Sequence, residues 1–268
     1  MKTIFFDGAM GTELHKRGFT QDPAILNLTH PEDIIDIHRA YLEAGADIIT
    51  ANTFGCYSHK YEKSTEMVQA AISHGKKALE SYPNKKLALN IGPTGLILEP
   101  YGDTTEEECS QIFEALISEG KTCNLILIET MMDLTELRLA VTAAKKTNLP
   151  VYATMSFEKN GRTMMGASIQ DMVDLLESLD VNALGFNCGF GPDIYSQLLP
   201  INTKLPVILQ PNAGLPQIDK PGSLPYYNLS PEGFANTMAN INVQFKGGCC
   251  GTSPAHIKAL HNKEENNA

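Results

Sequence analysis

Short apolar runs rich in Val, Ile, Leu and Phe recur eight times along the chain, at residues 3–6, 47–51, 87–91, 125–129, 151–156, 183–187, 207–210 and 243–247. Each is as long as a buried strand, and several are apolar almost without a break, as parallel strands covered on both faces should be. Most are followed by a segment of helical period. In 31–44, Ile34, Ile37, His38 and Tyr41 fall at i, i+3, i+4 and i+7 and so share one face. Residues 104–120, 133–146, 168–178, 192–199, 231–241 and 254–261 read as helices in the same way. Thr105 followed by Glu108 has the form of a capping box. Pro31, Pro192, Pro231 and Pro254 stand where a first-turn proline is tolerated. Eight strand–helix units in 268 residues fit a single (β/α)8 TIM barrel. Strand counting leaves a doubly wound open sheet as the alternative. The barrel is expected over residues 1–262, with 263–268 a polar C-terminal tail free to fray. The stretch 211–229, rich in Pro, Gly and Asn, is too long for a plain connection and is expected to be functional or mobile.

Charge and hydropathy narrow the function classes. The formal net charge is −10, which opposes binding to a phosphate backbone, so no nucleic-acid partner is expected. No apolar run approaches the ~20 residues that span a bilayer. The apolar start is cut short by Asp7 and is no signal-peptide core. The chain is therefore read as cytoplasmic, away from membranes, with its six cysteines reduced.

The densest chemistry lies in Gly247-Gly248-Cys249-Cys250-Gly251-Thr252, after the eighth run. Adjacent cysteines in a regular strand point to opposite faces. The surrounding glycines permit backbone angles that let both sulfurs turn to one point. Gly185-Phe186-Asn187-Cys188-Gly189 ends the sixth run and puts a third cysteine on the same C-terminal rim, where barrels keep their active sites. Three thiolates suit a soft tetrahedral ion such as Zn²⁺ and leave one position open. Three thiolates around a dication carry net charge −1, and a fourth makes it −2. Such a centre is a poor Lewis acid for water but suits a thiolate that stays nucleophilic. A free thiol, with a pKa near ~8.5, is mostly protonated at neutral pH, and coordination to a metal lowers that pKa so that the proton is lost to solvent. From spacing alone, structural cysteines or a redox pair at Cys249 and Cys250 remain alternatives to zinc. Cys56, Cys109 and Cys123 are read as small buried hydrophobes.

The two cysteine signatures resemble those of the homocysteine S-methyltransferase family. The resemblance continues, in order and always at the ends of expected strands, through Asp7-Gly8-Ala9-Met10-Gly11-Thr12-Glu13, Thr50-Ala51-Asn52-Thr53-Phe54-Gly55, Asn90-Ile91-Gly92-Pro93-Thr94-Gly95, Ile128-Glu129-Thr130 and Pro211-Asn212-Ala213-Gly214. Within the family the chain is most similar to the homocysteine-binding module of cobalamin-dependent methionine synthases. The resemblance implies a (β/α)8 barrel, zinc on Cys188, Cys249 and Cys250, and methyl transfer to homocysteine to give methionine. It implies that Glu129 meets the substrate ammonium and that Asp7, Gly8, Ala9, Met10, Gly11 and Thr12 line the amino-acid pocket. Chemistry agrees for Glu129, because a carboxylate at the end of an apolar strand is costly unless it meets a cation. The backbone amides of residues 8–12 suit the substrate carboxylate. Asn52, Asn90, Asn187 and Asn212 also fall at strand ends, where some are expected to orient their neighbours.

No corrinoid module is expected within these 268 residues. Asp36-Ile37-His38 begins like a D-x-H-x-x-G corrinoid motif, but Tyr41 stands in the glycine position and the segment is an amphipathic helix. The methyl group is therefore expected from outside, on methylcobalamin carried by a separate corrinoid protein or on a small methyl donor. Two other readings share the site: a methyltransferase for another small thiol or selenol, and a non-catalytic zinc-binding subunit of a methyl-transfer complex.

Overall fold

All eight apolar runs are strands, and every pairing among them is parallel. A computed structural model describes residues 2–220 and 223–267. The strands are β1 (Ile4–Phe5), β2 (Ile48–Thr50), β3 (Lys86–Ile91), β4 (Leu125–Met131), β5 (Val151–Met155), β6 (Ala183–Asn187), β7 (Val207–Gln210) and β8 (Phe245–Lys246). They lie in the order β1-β8-β7-β6-β5-β4-β3-β2. β1 also touches β2: Phe6 bridges Ile48, the Asp47 amide donates to the Phe5 carbonyl at 2.7 Å, and the Asp7 amide donates to Ile48 at 3.0 Å. Strand β1 therefore has a neighbour on each side, which closes the sheet and removes the open-sheet alternative. The fold is a (β/α)8 TIM barrel.

The helices are α1 (Met10–Lys16), α2 (Pro23–Thr29), α3 (Pro31–Glu43), α4 (Ser64–Leu79), α5 (Glu106–Glu119), α6 (Leu134–Lys145), α7 (Ile169–Ser178), α8 (Pro192–Leu198), α9 (Pro231–Ala239) and α10 (Pro254–Asn267). The Thr105–Glu108 capping box is formed, and the four anticipated prolines sit in first turns. Three helices were not legible beforehand. α1 and α2 are single short excursions between β1 and α3. α4 hides its apolar face because His74 and Gly75 interrupt it. Gly75 is there because a side chain would strike Leu87 of β3, so the helix lies directly on the strand.

The expected C-terminal tail is not one. α10 runs through residues 263–267, and Ala268 lies outside the described residues. The cause is Lys246 of β8, 2% exposed. A buried ammonium requires a partner, and it donates to Glu264 at 2.5 Å and to the Met238 carbonyl at 2.8 Å. Thr3 also donates to Glu264. The helix is thereby locked over the end of β8. Among the described residues no helix is long and apolar enough to cross a membrane.

The barrel interior explains where a site can form. Phe6, Ile48, Ala88, Leu127, Ala183, Ile208 and Phe245 fill its lower part with one apolar cluster. Side chains alternate along a strand, so the inward positions that follow toward the C-terminal rim are Thr50, Asn90, Glu129, Thr154 and Gln210, and Asn187 one step beyond Gly185. The apolar plug thus gives way to a polar floor.

Candidate metal centre

Cys188 follows β6 with φ 59°, a left-handed backbone that a cysteine seldom adopts. Gly189 continues it at 66°. After β8, the chain is pinned on both sides. The Gly248 amide donates to Asp7, the Cys249 amide to Pro211, and the Ala213 amide to Cys250. Thr252 closes the turn, donating from Oγ1 to the Cys249 carbonyl at 2.7 Å while accepting from the Ala9 amide at 3.2 Å. The Gly251 amide donates to Thr12 Oγ1 at 3.3 Å. These bonds bend the Cys249-Cys250 pair out of strand geometry, so both sulfurs face Cys188.

The three Sγ atoms lie within 4.8 Å of one another, with Cys188 and Cys250 at 3.9 Å. Sulfurs around a tetrahedral zinc at ~2.3 Å stand roughly 3.8 Å apart, so the spacing fits. The proton chemistry fits as well. Hydrogen bonds from Cys188 and Cys249 push the Cys250 thiol down to about 3. Cys249 is raised by its sulfur neighbours and by burial. At Cys188 the Cys249 bond lowers the pKa, but contact with Cys250 and burial prevail and take it up to about 12. Alone, the cluster holds one negative charge comfortably. Ionising all three sulfurs requires a cation among them.

Beside the sulfurs is a cavity of about 420 Å³. Asp7, Gly8, Ala9, Met10, Gly11, Thr12 and Glu129 line it together with Cys188, Cys249 and Cys250, as do the strand-end Asn52 and Asn90, while Asn187 and Asn212 are not among its lining residues. The segment 7–12 is not only a turn, since Met10 starts α1. Burial raises the Glu129 carboxyl to about 7, against an opposing bond from Asn90 and with help from the nearby Cys250. Burial also raises Asp7, opposed by the Thr50 backbone amide and reinforced by Glu129. Asp7 receives the Thr50 amide at 2.8 Å. Two crowded carboxyls that resist ionising together form a seat for a cation.

Asn187 holds this arrangement together, a role its place at a strand end only hinted at. Its Oδ1 accepts from the Thr130 amide at 2.7 Å and from Thr154 Oγ1 at 2.8 Å. Its Nδ2 reaches Thr130 Oγ1 at 2.7 Å, Glu129 Oε2 at 3.1 Å and Cys249 Sγ at 3.9 Å. One amide therefore ties the carboxylate to the sulfurs, and Thr130 accommodates it with φ 61°. Gln210, also on the cavity wall, gave no sign in the sequence beyond ending an apolar run. Its Oε1 and the Oδ1 of Asn90 and Asn212 are buried without partners among the described residues. Cys56, Cys109 and Cys123 are buried elsewhere, and burial pushes each thiol up to about 12. His38 is fully buried on α3, away from the cavity.

The sequence profile of the homocysteine S-methyltransferase family matches residues 4–263. The chain belongs to that family. Methionine synthase of Mycobacterium tuberculosis (strain ATCC 25618 / H37Rv) is 31% identical over 288 residues, covering 95% of this chain and 24% of that protein. Methionine synthase of Mycobacterium leprae (strain TN) is likewise 31% identical, over 286 residues. This homocysteine S-methyltransferase family member thus spans about a quarter of the length of those relatives. The metallated form of the homocysteine methyltransferase MmuM from Escherichia coli superposes with a TM-score of 0.76 at 21% identity, covering 98% of this chain and 96% of that one. That likeness establishes a shared barrel.

Proposed function

We propose that this chain transfers a methyl group from an external donor to the sulfur of homocysteine, giving methionine. A bond forms between that sulfur and the methyl carbon, the bond from carbon to donor breaks, and the donor leaves with the electron pair. The observation that carries this reading is the Asn187 amide, which spans Glu129 and Cys249 and so sets an ammonium seat beside the sulfur cluster. An amino-thiol fits that spacing. Cys188, Cys249 and Cys250 would hold Zn²⁺, which when bound would lower the pKa of a coordinated thiol, so that its proton is released to solvent while the sulfur stays nucleophilic.

The protein's own groups do the remaining work. Glu129, aided by Asp7, binds the substrate ammonium, and residues 8–12 face its carboxylate end. The apolar plug closes the barrel beneath the floor. Positioning of this kind can contribute much of a barrier reduction. The donor approaches from the open rim. All the large apolar side chains that are exposed among the described residues lie on that side, including Phe54, Ile97, Tyr101, Met164, Met165 and Ile218 on the loops after β2, β3, β5 and β7. Such a concentration favours a donor presented by a protein, such as one carrying methylcobalamin.

The test is a pair of measurements. Glu129→Gln should keep stoichiometric zinc yet bind homocysteine at least about tenfold more weakly, the loss expected when a charged hydrogen bond goes. Unchanged affinity would remove Glu129 from the site. A screen of methylcobalamin, S-methylmethionine, S-adenosylmethionine and betaine, following methionine, identifies the donor class.

A further inference from the structure

The cavity wall carries three acids, Asp7, Asp22 and Glu129, and a single basic residue among the described residues, Lys60. Asp7 is buried at the floor, whereas Lys60 is exposed and so stands at the mouth.

The fold holds the lysine there. Its amide donates to the Tyr57 carbonyl at 3.0 Å, closing a turn in the loop after β2. Tyr57 is itself buried and donates from its hydroxyl to the Gly92 carbonyl, and His59 Nε2 meets the Thr94 carbonyl at 3.1 Å. The loops after β2 and β3 therefore form one ledge. The Lys60 ammonium lies 5.6 Å from the centre of the Tyr57 ring, within range of its π face. It reaches over Gly55 and Gly95, whose φ angles of 76° and 78° are left-handed, and a Cβ on Gly95 would come within 3.5 Å of Nζ. Lys60 forms no ion pair among the described residues. Asp22, the other exposed charge on the wall, is engaged as the cap of α2, where it accepts the Ala24 amide at 2.9 Å.

The consequence concerns what can enter. With a substrate ammonium seated on Glu129 and Asp7, the acids of the floor are paired, and the unpaired charge left at the mouth is positive. A methyl donor has to bring its methyl group past that charge. Sulfonium and quaternary ammonium donors place the methyl group on a cation, whereas methylcobalamin is neutral overall. At a dielectric between those of protein and water, a unit charge roughly 8 Å away alters the approach of a charged molecule several-fold. We propose that Lys60 is a specificity-determining residue that sorts methyl donors by charge, disfavouring cationic donors and admitting neutral or anionic ones. The inference rests on the methyl-transfer reading for its donor, but the charge filter belongs to the cavity and can be measured without one.

The experiment offers the purified protein two methanethiosulfonate reagents of similar size, one ending in trimethylammonium and the other in sulfonate. A cavity thiolate attacks the sulfenyl sulfur of the reagent, a disulfide forms, and methanesulfinate leaves with the electron pair. Peptide mass spectrometry gives the rate at each cysteine. The ratio of anionic to cationic rates at one sulfur removes that sulfur's own reactivity. Lys60→Met should lower this ratio at Cys188, Cys249 and Cys250 about fivefold at low salt, and the effect should shrink in ~1 M salt, which a merely loosened loop would not show. Lys60→Arg should keep the ratio of the unaltered protein. So should Lys63→Met, which removes a lysine that lies outside the cavity wall and pairs with Glu66. In a second arm with homocysteine present, Lys60→Met should shift the preference between S-methylmethionine and methylcobalamin toward S-methylmethionine by a similar factor. An unmoved reagent ratio in Lys60→Met overturns the inference, and so does an equal change in Lys63→Met. A moved reagent ratio with an unmoved donor preference overturns it too. A moved ratio in a protein that methylates homocysteine from no donor brings down the methyl-transfer reading and leaves the charge filter standing.

Discussion

Gly251 shows how much of the centre is decided by single residues. Its φ of 81° is open to glycine and strained for other residues, and the Tyr227 ring occupies the place of a Cβ. Gly251→Ala should therefore cost about 1–3 kcal/mol in chemical denaturation. It should also weaken zinc binding, measured by competition with a chelator, because Cys250 moves with it. Cys188 and Thr130 carry comparable strain at 59° and 61°, and both orient groups of the site. At this scale the sequence was partly legible. The three cysteines and Glu129 stood out because thiols and carboxylates at strand ends have few structural uses. Asn187 stood out only as one of four strand-end asparagines, and Gln210 and Tyr227 not at all. The first two are neutral amides whose roles depend on which neighbours the closed barrel brings. Tyr227 owes its place to the fold of a long connection, which has no periodicity to read.

Among the elements, the packing of α3 on α4 makes a separate prediction. His38 is wholly buried there, and neither ring nitrogen has a partner among the described residues; His74 Nδ1 on α4 also lacks one. Burial, with a smaller contribution from His74, lowers the His38 pKa to about 3. His74 itself is lowered by burial, with Glu32 opposing and Lys77 adding to the effect. The unfolded chain takes up the His38 proton near pH 6.5, while the folded chain resists until about 3. Stability is therefore full above pH 6.5 and is lost as pH falls between those values. The loss is up to about 1.4 kcal/mol per pH unit. Urea denaturation at pH 7.5 and pH 5.0 should show it, and His38→Leu should flatten the difference by up to about 2 kcal/mol. An unaltered slope would assign the acid sensitivity elsewhere. Elements with clean apolar periods or capping signals were legible to within a few residues. α4 was not, because its contact face contains a histidine and a glycine. The terminal turn of α10 was not, because it is held by an ion pair with a strand far away in the chain.

On the scale of the whole molecule, closure turns eight separate strand ends into one site. The cysteines come from β6 and β8, Glu129 from β4 and Asp7 from β1, and only the ring brings them to a single cavity. A metal held by these cysteines would tie β6 to β8 and so stabilise the entire barrel. At a hundredfold above its Kd, zinc adds about 2.7 kcal/mol, which in a barrel of this size raises Tm by several degrees. A chelator should reverse that shift, and Cys188→Ala should abolish it. The strand count and the order of motifs made the barrel legible, whereas the polar floor above the apolar plug became visible only once inward positions were known. The account depends most on a metal held by three protein sulfurs with room for a fourth. Zinc-edge X-ray absorption, with and without homocysteine, measures this directly. The predicted result is three sulfur ligands and one lighter ligand in the free protein, becoming four sulfurs when homocysteine is added. A sulfur count that does not change on adding homocysteine, or a centre already closed by four protein sulfurs, would contradict it.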